Sequence, residues 1–293
     1  MQKEFKKISL NCQETFAKVL SDCPERTSEY TFANILGWTD FYGLELGCGD
    51  DMVWIRETEP ELKYWAPIGN WENVNWEECE LLKKSGTSFT RVPEKLALML
   101  QEKLGDSLKI EENRGHFDYI YSVHDLIDLK GNKFHKKKNL FNQFKKKYDY
   151  EYKEITPECI EEVLEMQMEW YRWQEENNYS DALEAENDAI FKVLKEIDTI
   201  SNLTGGTIRI DGKIIAYTVA EALDDETIVI HFEKGDTRYK GVYQAINQMF
   251  LANNAAHFKY VNREQDLGEP GLRKAKESYN PVHFKKKFEI TVL

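Results

Sequence analysis

The stretch that most restricts the fold is a hairpin. Thr207 to Ile210 and Lys213 to Ala220 are apolar, β-branched runs separated by Asp211-Gly212 alone. A two-residue Asp-Gly link needs positive φ at both positions, and its twist suits two adjacent antiparallel strands. The second half of the chain is therefore expected to hold an antiparallel sheet. Thr227 to Phe232 adds a third strand. Gly241 precedes a helix with Val242, Ala245, Ile246, Met249 and Phe250 on one face, followed by strands at Phe258 to Val261 and His283 to Val292. Upstream, Tyr150 to Ile155 is strand-like. Thr156 and Pro157 open a helix striped by Ile160, Val163, Leu164, Met168 and Tyr171, and Asp181 and Glu184 mark the start of another.

The first half repeats that order of elements. It runs from a strand at Phe5 to Leu10 through helices at Glu14 to Leu20 and Glu29 to Leu36. Strands follow at Tyr42 to Leu46, at Met52 to Arg56 across a Gly-Cys-Gly-Asp-Asp turn, and at Leu62 to Ala66. Asn75 and Glu78 have capping-box spacing before a helix through Lys84. Phe89 to Val92 is a strand, Pro93 opens a helix, and Leu108 to Glu111 and Tyr119 to Val123 close the half. The repetition is one of architecture, with no residue identity behind it. It predicts an α/β (α+β) fold of two similar domains, residues 1–129 and 149–293, each a mixed, mostly antiparallel sheet flanked by helices.

Residues 130–148 join the two. Phe134, Phe141, Phe144 and Tyr148 recur at helical spacing, which gives a helix with one aromatic and one lysine face. Residues 130–147 carry eight lysines and no acid, so against the chain total of −13 everything else sums to −21. A solvated connecting helix is the bland reading. The sharper one is a surface for phosphate-rich partners such as tRNA, formed by Lys133, Lys136, Lys137, Lys138, Lys145, Lys146 and Lys147. Five cysteines form an odd set without a CxxC pair, and no HExxH motif or histidine-rich cluster points to a metal. Neither a signal-peptide core nor an 18-residue apolar run is present, so a cytoplasmic protein without its own membrane anchor is expected.

The densest chemistry follows the strand ending at Val261: Asn262-Arg263-Glu264-Gln265-Asp266, a turn at Gly268 to Gly271, then a short basic helix with Arg273, Lys274 and Lys276. Strand ends that run into Gly/Pro turns are where α/β proteins place reacting groups. Glu264 or Asp266 is the candidate proton acceptor or ammonium holder. Asn262, Arg263, Arg273, Lys274 and Lys276 are candidates for holding phosphate or carboxylate. Surface ion pairing is the competing structural reading for the charged residues among them.

The order of elements resembles the GNAT-type N-acetyltransferase fold, here in tandem. In that fold a Q/R-x-x-G-x-G/A loop at a helix start holds the donor's pyrophosphate. Arg238-Tyr239-Lys240-Gly241-Val242-Tyr243 matches at Arg238 and Gly241, with Lys240 beside them, but Tyr243 stands where the pattern has a small residue and its bulk obstructs close backbone approach. The first half has neither the basic residue nor the glycine spacing at Ile68 to Asn75, which implies a degenerate scaffold there. The stretches LIDLKGNKFHKKKN and NREQDLGEPGLRKAKESYNP resemble a stand-alone bacterial family related to the phosphatidylglycerol lysyltransferase C-terminal domain and to Fem-type aminoacyltransferases. The resemblance implies an acyl or aminoacyl transferase with aminoacyl-tRNA or acyl-CoA as co-substrate and a small-molecule or peptide amine or hydroxyl as acceptor. It also implies that Tyr279 protonates the leaving group. A non-catalytic tRNA or nucleotide-metabolite binding module, and an acyl-CoA-dependent N-acetyltransferase, remain the alternatives.

Overall fold

The computed structural model describes residues 4–49 and 52–293. The hairpin closes at the expected turn, with Ile210 opposite Lys213 and φ of 51° and 79° at Asp211 and Gly212. Around it one sheet runs in the order His283–Lys285, Asp118–Ser122, Tyr260–Asn262, Thr227–Gly235, Lys213–Ala222, Leu203–Ile210, Glu151–Glu154. Its parallel junction joins Thr227–Gly235 to Tyr260–Asn262. The other sheet runs Phe5–Lys7, Glu45–Gly49, Met52–Glu57, Lys63–Trp65, Ser88–Pro93, Lys287–Val292, Leu108–Glu112. There the parallel junction lies between Lys63–Trp65 and Ser88–Pro93. Both sheets are thus mixed and mostly antiparallel, with helices around them, as the order of elements implies.

Contacts divide the chain into residues 119–264 with 271–283, and residues up to 118 with 265–270 and 284–293. Two strands change sides relative to their place in the sequence. Asp118–Ser122, which ends the first half, pairs antiparallel with Tyr260–Asn262, while Lys287–Val292, which ends the chain, pairs with Ser88–Pro93 and Leu108–Glu112. An alternating apolar pattern fixes which face of a strand is buried but not which sheet it joins.

Local differences have local causes. Tyr42 closes a helical turn, Thr39–Tyr42, because Gly43 follows it at φ +56°, so the next strand starts only at Glu45. Ser180 rather than Asp181 caps the helix Asp181–Leu194, its hydroxyl accepting from the Leu183 N–H. Asn75 makes no side-chain cap, and only short turns follow it. Ser122 caps a helix at Val123–Asp128, just ahead of the expected connector. Asp50 and Asp51 of the expected Gly-Cys-Gly-Asp-Asp turn lie outside the described residues.

The basic helix, His135–Lys147, buries Phe141 and Phe144, and Phe134 is buried just ahead of it. These rings share a core with Val242, Ala245, Ile246 and Phe250 of the helix Val242–Asn254. Burying a phenylalanine is worth ~2 kcal/mol, so the aromatic face holds the helix while most of its lysines stay exposed.

Candidate active site

The two parallel strands pair only from Thr227 and Tyr260 to Val229 and Asn262, and then part. Each departure has a visible cause. Asn262 is buried, and its side-chain oxygen accepts the Glu264 N–H at 2.8 Å, which turns the chain at Glu264 (φ +55°). The Lys276 ammonium clamps the same bend by donating to the Arg263 and Glu264 carbonyls. On the other strand the register slips, Ile230 facing Ala220 and Phe232 facing Val219, so His231 is an extra residue in a bulge.

Charged groups converge where the strands separate. The His231 ring, 2 % exposed, lies with Nδ1 2.8 Å from Oε1 of Glu264 and Nε2 3.6 Å from Oε2 of Glu221. Burial favours the neutral ring, but the two carboxylates outweigh it and lift the imidazole pKa to about 9. His231 is therefore a cation at neutral pH, and Glu264, its side chain 21 % exposed, is the reachable end of the triad. Two residues on, Glu233 accepts from Arg263 Nη2 at 2.8 Å and, on its other oxygen, from Asn247 at 3.0 Å.

The Arg263 guanidinium lies 4.8 Å from the ring centre of Tyr279, and the Lys137 ammonium 3.8 Å from it. Gln244 donates to the Tyr279 hydroxyl at 3.0 Å, leaving the phenolic proton free to be given away. Burial raises the Tyr279 pKa, with Arg263 pulling the other way, so the phenol keeps its proton at neutral pH. Burial and then repulsion from Arg263 bring Lys137 down to about 8.

The loop before the helix Val242–Asn254 is closed upon itself. Arg238 is folded onto Asp236 through both its backbone N–H and its guanidinium. The Lys240 N–H is taken by the Tyr148 hydroxyl, and the Val242 N–H by the Tyr239 carbonyl. Gly241 has φ +90°, and a Cβ there would meet the Leu140 carbonyl oxygen at 2.4 Å. The glycine admits the basic helix rather than a ligand. Across the loop, Met166, Trp170, Trp173, Ile214, Thr237 and Arg238 line a cavity of about 350 Å³.

Residues 21–291 match the family model described as phosphatidylglycerol lysyltransferase, C-terminal. The chain belongs to this family. Within the phosphatidylglycerol lysyltransferase C-terminal family and its neighbours, a conserved protein of unknown function from Bacteroides thetaiotaomicron is 31 % identical over the whole of both chains, with a TM-score of 0.90. The L-PGS of Bacillus licheniformis shares the fold at a TM-score of 0.65 and 13 % identity, over 95 % of this chain and 91 % of that one. An uncharacterized protein of Mycoplasmoides gallisepticum is 23 % identical over 177 residues, 60 % of this chain; the match spans 56 % of that relative's length.

Of the residues singled out in this family member's sequence, Glu264, Arg263, Tyr279, Lys276 and Asn262 come together, and Lys137 joins them from the basic helix. Asp266 is wholly buried in the other contact unit, bound to Arg114 at 3.1 Å and to the Gly268 N–H. Arg273 and Lys274 lie on the helix Pro270–Glu277, Lys274 exposed. Lys133 pairs with Asp125, and Lys136, Lys138, Lys145, Lys146 and Lys147 are exposed. His231, Glu221, Glu233 and Gln244 are absent from the sequence-derived set. The pattern His-x-Glu within the apolar run TIVIHFEKG carried the available signal, since alternate residues face one side of a strand.

The first contact unit has the same parting of parallel strands, filled in. Beyond the pairs Tyr64–Phe89 and Trp65–Thr90, Arg91 (φ +56°) is buried against Glu57 at 3.0 Å, and Trp65 Nε1 donates to the same carboxylate at 2.8 Å. The wholly buried Lys287 ammonium is held by Glu29 and Asp118. Among the described residues no three His, Cys, Asp or Glu side chains form a metal-holding group, and no helix is long and apolar enough to cross a membrane.

Proposed function

We propose that the chain transfers an aminoacyl group from an ester-linked carrier, aminoacyl-tRNA, to an amine or hydroxyl acceptor at the parting of Thr227–Gly235 and Tyr260–Asn262. The observation that carries this reading is the Glu221–His231–Glu264 triad, with Arg263, the residue before Glu264, 4.8 Å from the ring centre of the protonated Tyr279. His231 sits between two carboxylates in a mostly buried place, and Glu264 is the one whose side chain is partly exposed. The acceptor attacks the ester carbonyl and gives its proton to Glu264. The bond from carbonyl carbon to ribose oxygen breaks, and Tyr279 supplies the proton to that oxygen. Nothing in such a step requires a covalent intermediate; alignment and placed protons suffice.

The loop Asp236–Gly241 supports an ester carrier over acyl-CoA. The Arg238, Lys240 and Val242 amides have internal acceptors, and the space a pyrophosphate would need at Gly241 is taken by Leu140. Asp266, bound to Arg114, is left to the turn. The buried ion pairs around Arg91 and Lys287 support a scaffold role for the first unit. The family's description makes lysyl the first group to test, and a tRNA carrier places the protein in the cytoplasm.

The test is protein-dependent loss of labelled amino acid from charged tRNA, with hydroxylamine as surrogate acceptor. Glu264→Gln should keep its fold by circular dichroism and slow the loss ~10² to 10⁴-fold. An equal rate in the variant, or no protein-dependent loss from any charged tRNA, defeats the reading.

A further inference from the structure

We propose that Lys137, Arg263 and Tyr279 form a subsite for a phosphate group. Two cations converge on one buried phenol ring, Lys137 Nζ at 3.8 Å and Arg263 Cζ at 4.8 Å from its centre. Among the described residues Glu233 is the carboxylate bound to Arg263, and its two oxygens are occupied by Arg263 Nη2 and Asn247. Among the described residues no carboxylate pairs with Lys137.

Two further observations agree. Arg263 Nη1 is buried without a hydrogen-bond acceptor among the described residues. The Lys137 pKa is pushed down, to about 8, by burial and by Arg263, the opposite of what a paired carboxylate would do. A guanidinium and an ammonium are donors only, so the group they suit is an acceptor with negative charge. Phosphate supplies oxygens in several directions and can reach donors arriving from the basic helix and from the strand end together; a two-oxygen, planar carboxylate spans less. Lys137 also continues, inward, the helix that carries Lys136 and Lys138 on its exposed side. The subsite rests on the transferase reading only for its role, to seat a phosphate of the carrier or of the acceptor.

The test is calorimetric titration of the full chain with inorganic phosphate, adenosine monophosphate and glycerol phosphate, against acetate at matched ionic strength. Saturable binding of the phosphate compounds is expected, with acetate at least tenfold weaker. Lys137→Met should weaken phosphate binding tenfold or more, Lys137→Arg should retain it, and Lys103→Met, an exposed lysine elsewhere, should change it less than twofold. Tighter adenosine monophosphate assigns the phosphate to a nucleotide carrier, and tighter glycerol phosphate to a headgroup; both uphold the subsite. Equal affinity in Lys137→Met, acetate binding as tightly as phosphate, or no saturable binding overturns it. No aminoacyl transfer enters the measurement. A protein that binds phosphate through Lys137 but releases no amino acid sinks the transferase alone, and one active with phosphate binding indifferent to Lys137 sinks the subsite alone.

Discussion

Nδ1 of His231 lies 2.8 Å from Oε1 of Glu264, on a ring that is almost wholly buried. The folded protein therefore holds this proton to about pH 9, whereas an unfolded chain releases it near 6.5. Stability from the charged ring is fully present below pH 6.5 and drains away as pH rises through 9, by an amount on the order of 3 kcal/mol. Lys137, lowered to about 8, acts in the opposite sense above that pH, so the comparison must be with a variant that keeps it. Denaturant unfolding of wild type and His231→Gln at pH 6 and pH 9.5 isolates the ring. Wild type should lose more stability than the variant over that interval; equal losses would mean the imidazole is neutral.

The Tyr279 phenol is protonated and hydrogen-bonded by Gln244, and its proposed role is to give its proton to the leaving oxygen. Tyr279→Phe keeps the ring between its cations and removes only the proton. The rate with an aminoacyl ester of ribose should fall ~10² to 10⁴-fold. With a trifluoroethyl ester, whose alcohol leaves more easily without a proton, the defect should shrink. A defect of the same size with both esters would show that the ring, and not the acid, matters.

Much of this fold was legible in the sequence because local chemistry dictated it. Asp211-Gly212 could make only a tight hairpin, and the phenylalanine spacing of residues 134–148 could make only a helix with a buried aromatic face. The site was legible in part. Glu264 and Tyr279 stood in a dense polar stretch, but His231 and Glu221 sit in strands where one polar residue among apolar neighbours reads as an ordinary solvent-facing position. Their place beside Glu264 comes from a bulge and from a partner strand, neither of which leaves a mark on nearby residues. The exchange of Asp118–Ser122 and Lys287–Val292 was invisible for the same reason, since strand pairing is decided at a distance.

Gly241 offers a check on how the basic helix is seated. Alanine there meets both a left-handed backbone and the Leu140 carbonyl at 2.4 Å. The first costs ~1–2 kcal/mol, and overpacking adds ~1–3 kcal/mol. Gly86→Ala, at φ +84° with open space around it, should pay only the first. Denaturant midpoints should therefore fall clearly further for Gly241→Ala. Equal shifts in the two variants would mean that the helix yields freely and that Gly241 is not where it is held.

The exposed lysines of that helix make a separate, quantitative claim. Lys136, Lys138 and Lys146 are exposed, so replacing them with alanine removes charge without opening the core. Each phosphate they neutralise releases condensed counterions, contributing ~0.7–0.9 to the slope of log affinity against log salt. If all three contact a charged-tRNA backbone, the triple variant should bind more weakly at low salt and lose ~2–3 from that slope, measured by filter binding between 50 and 200 mM salt. Affinity lost with the slope unchanged would point to a folding or docking defect instead. An unchanged affinity would place the RNA on another face, and the aromatic side of the helix would then account by itself for why the segment is there.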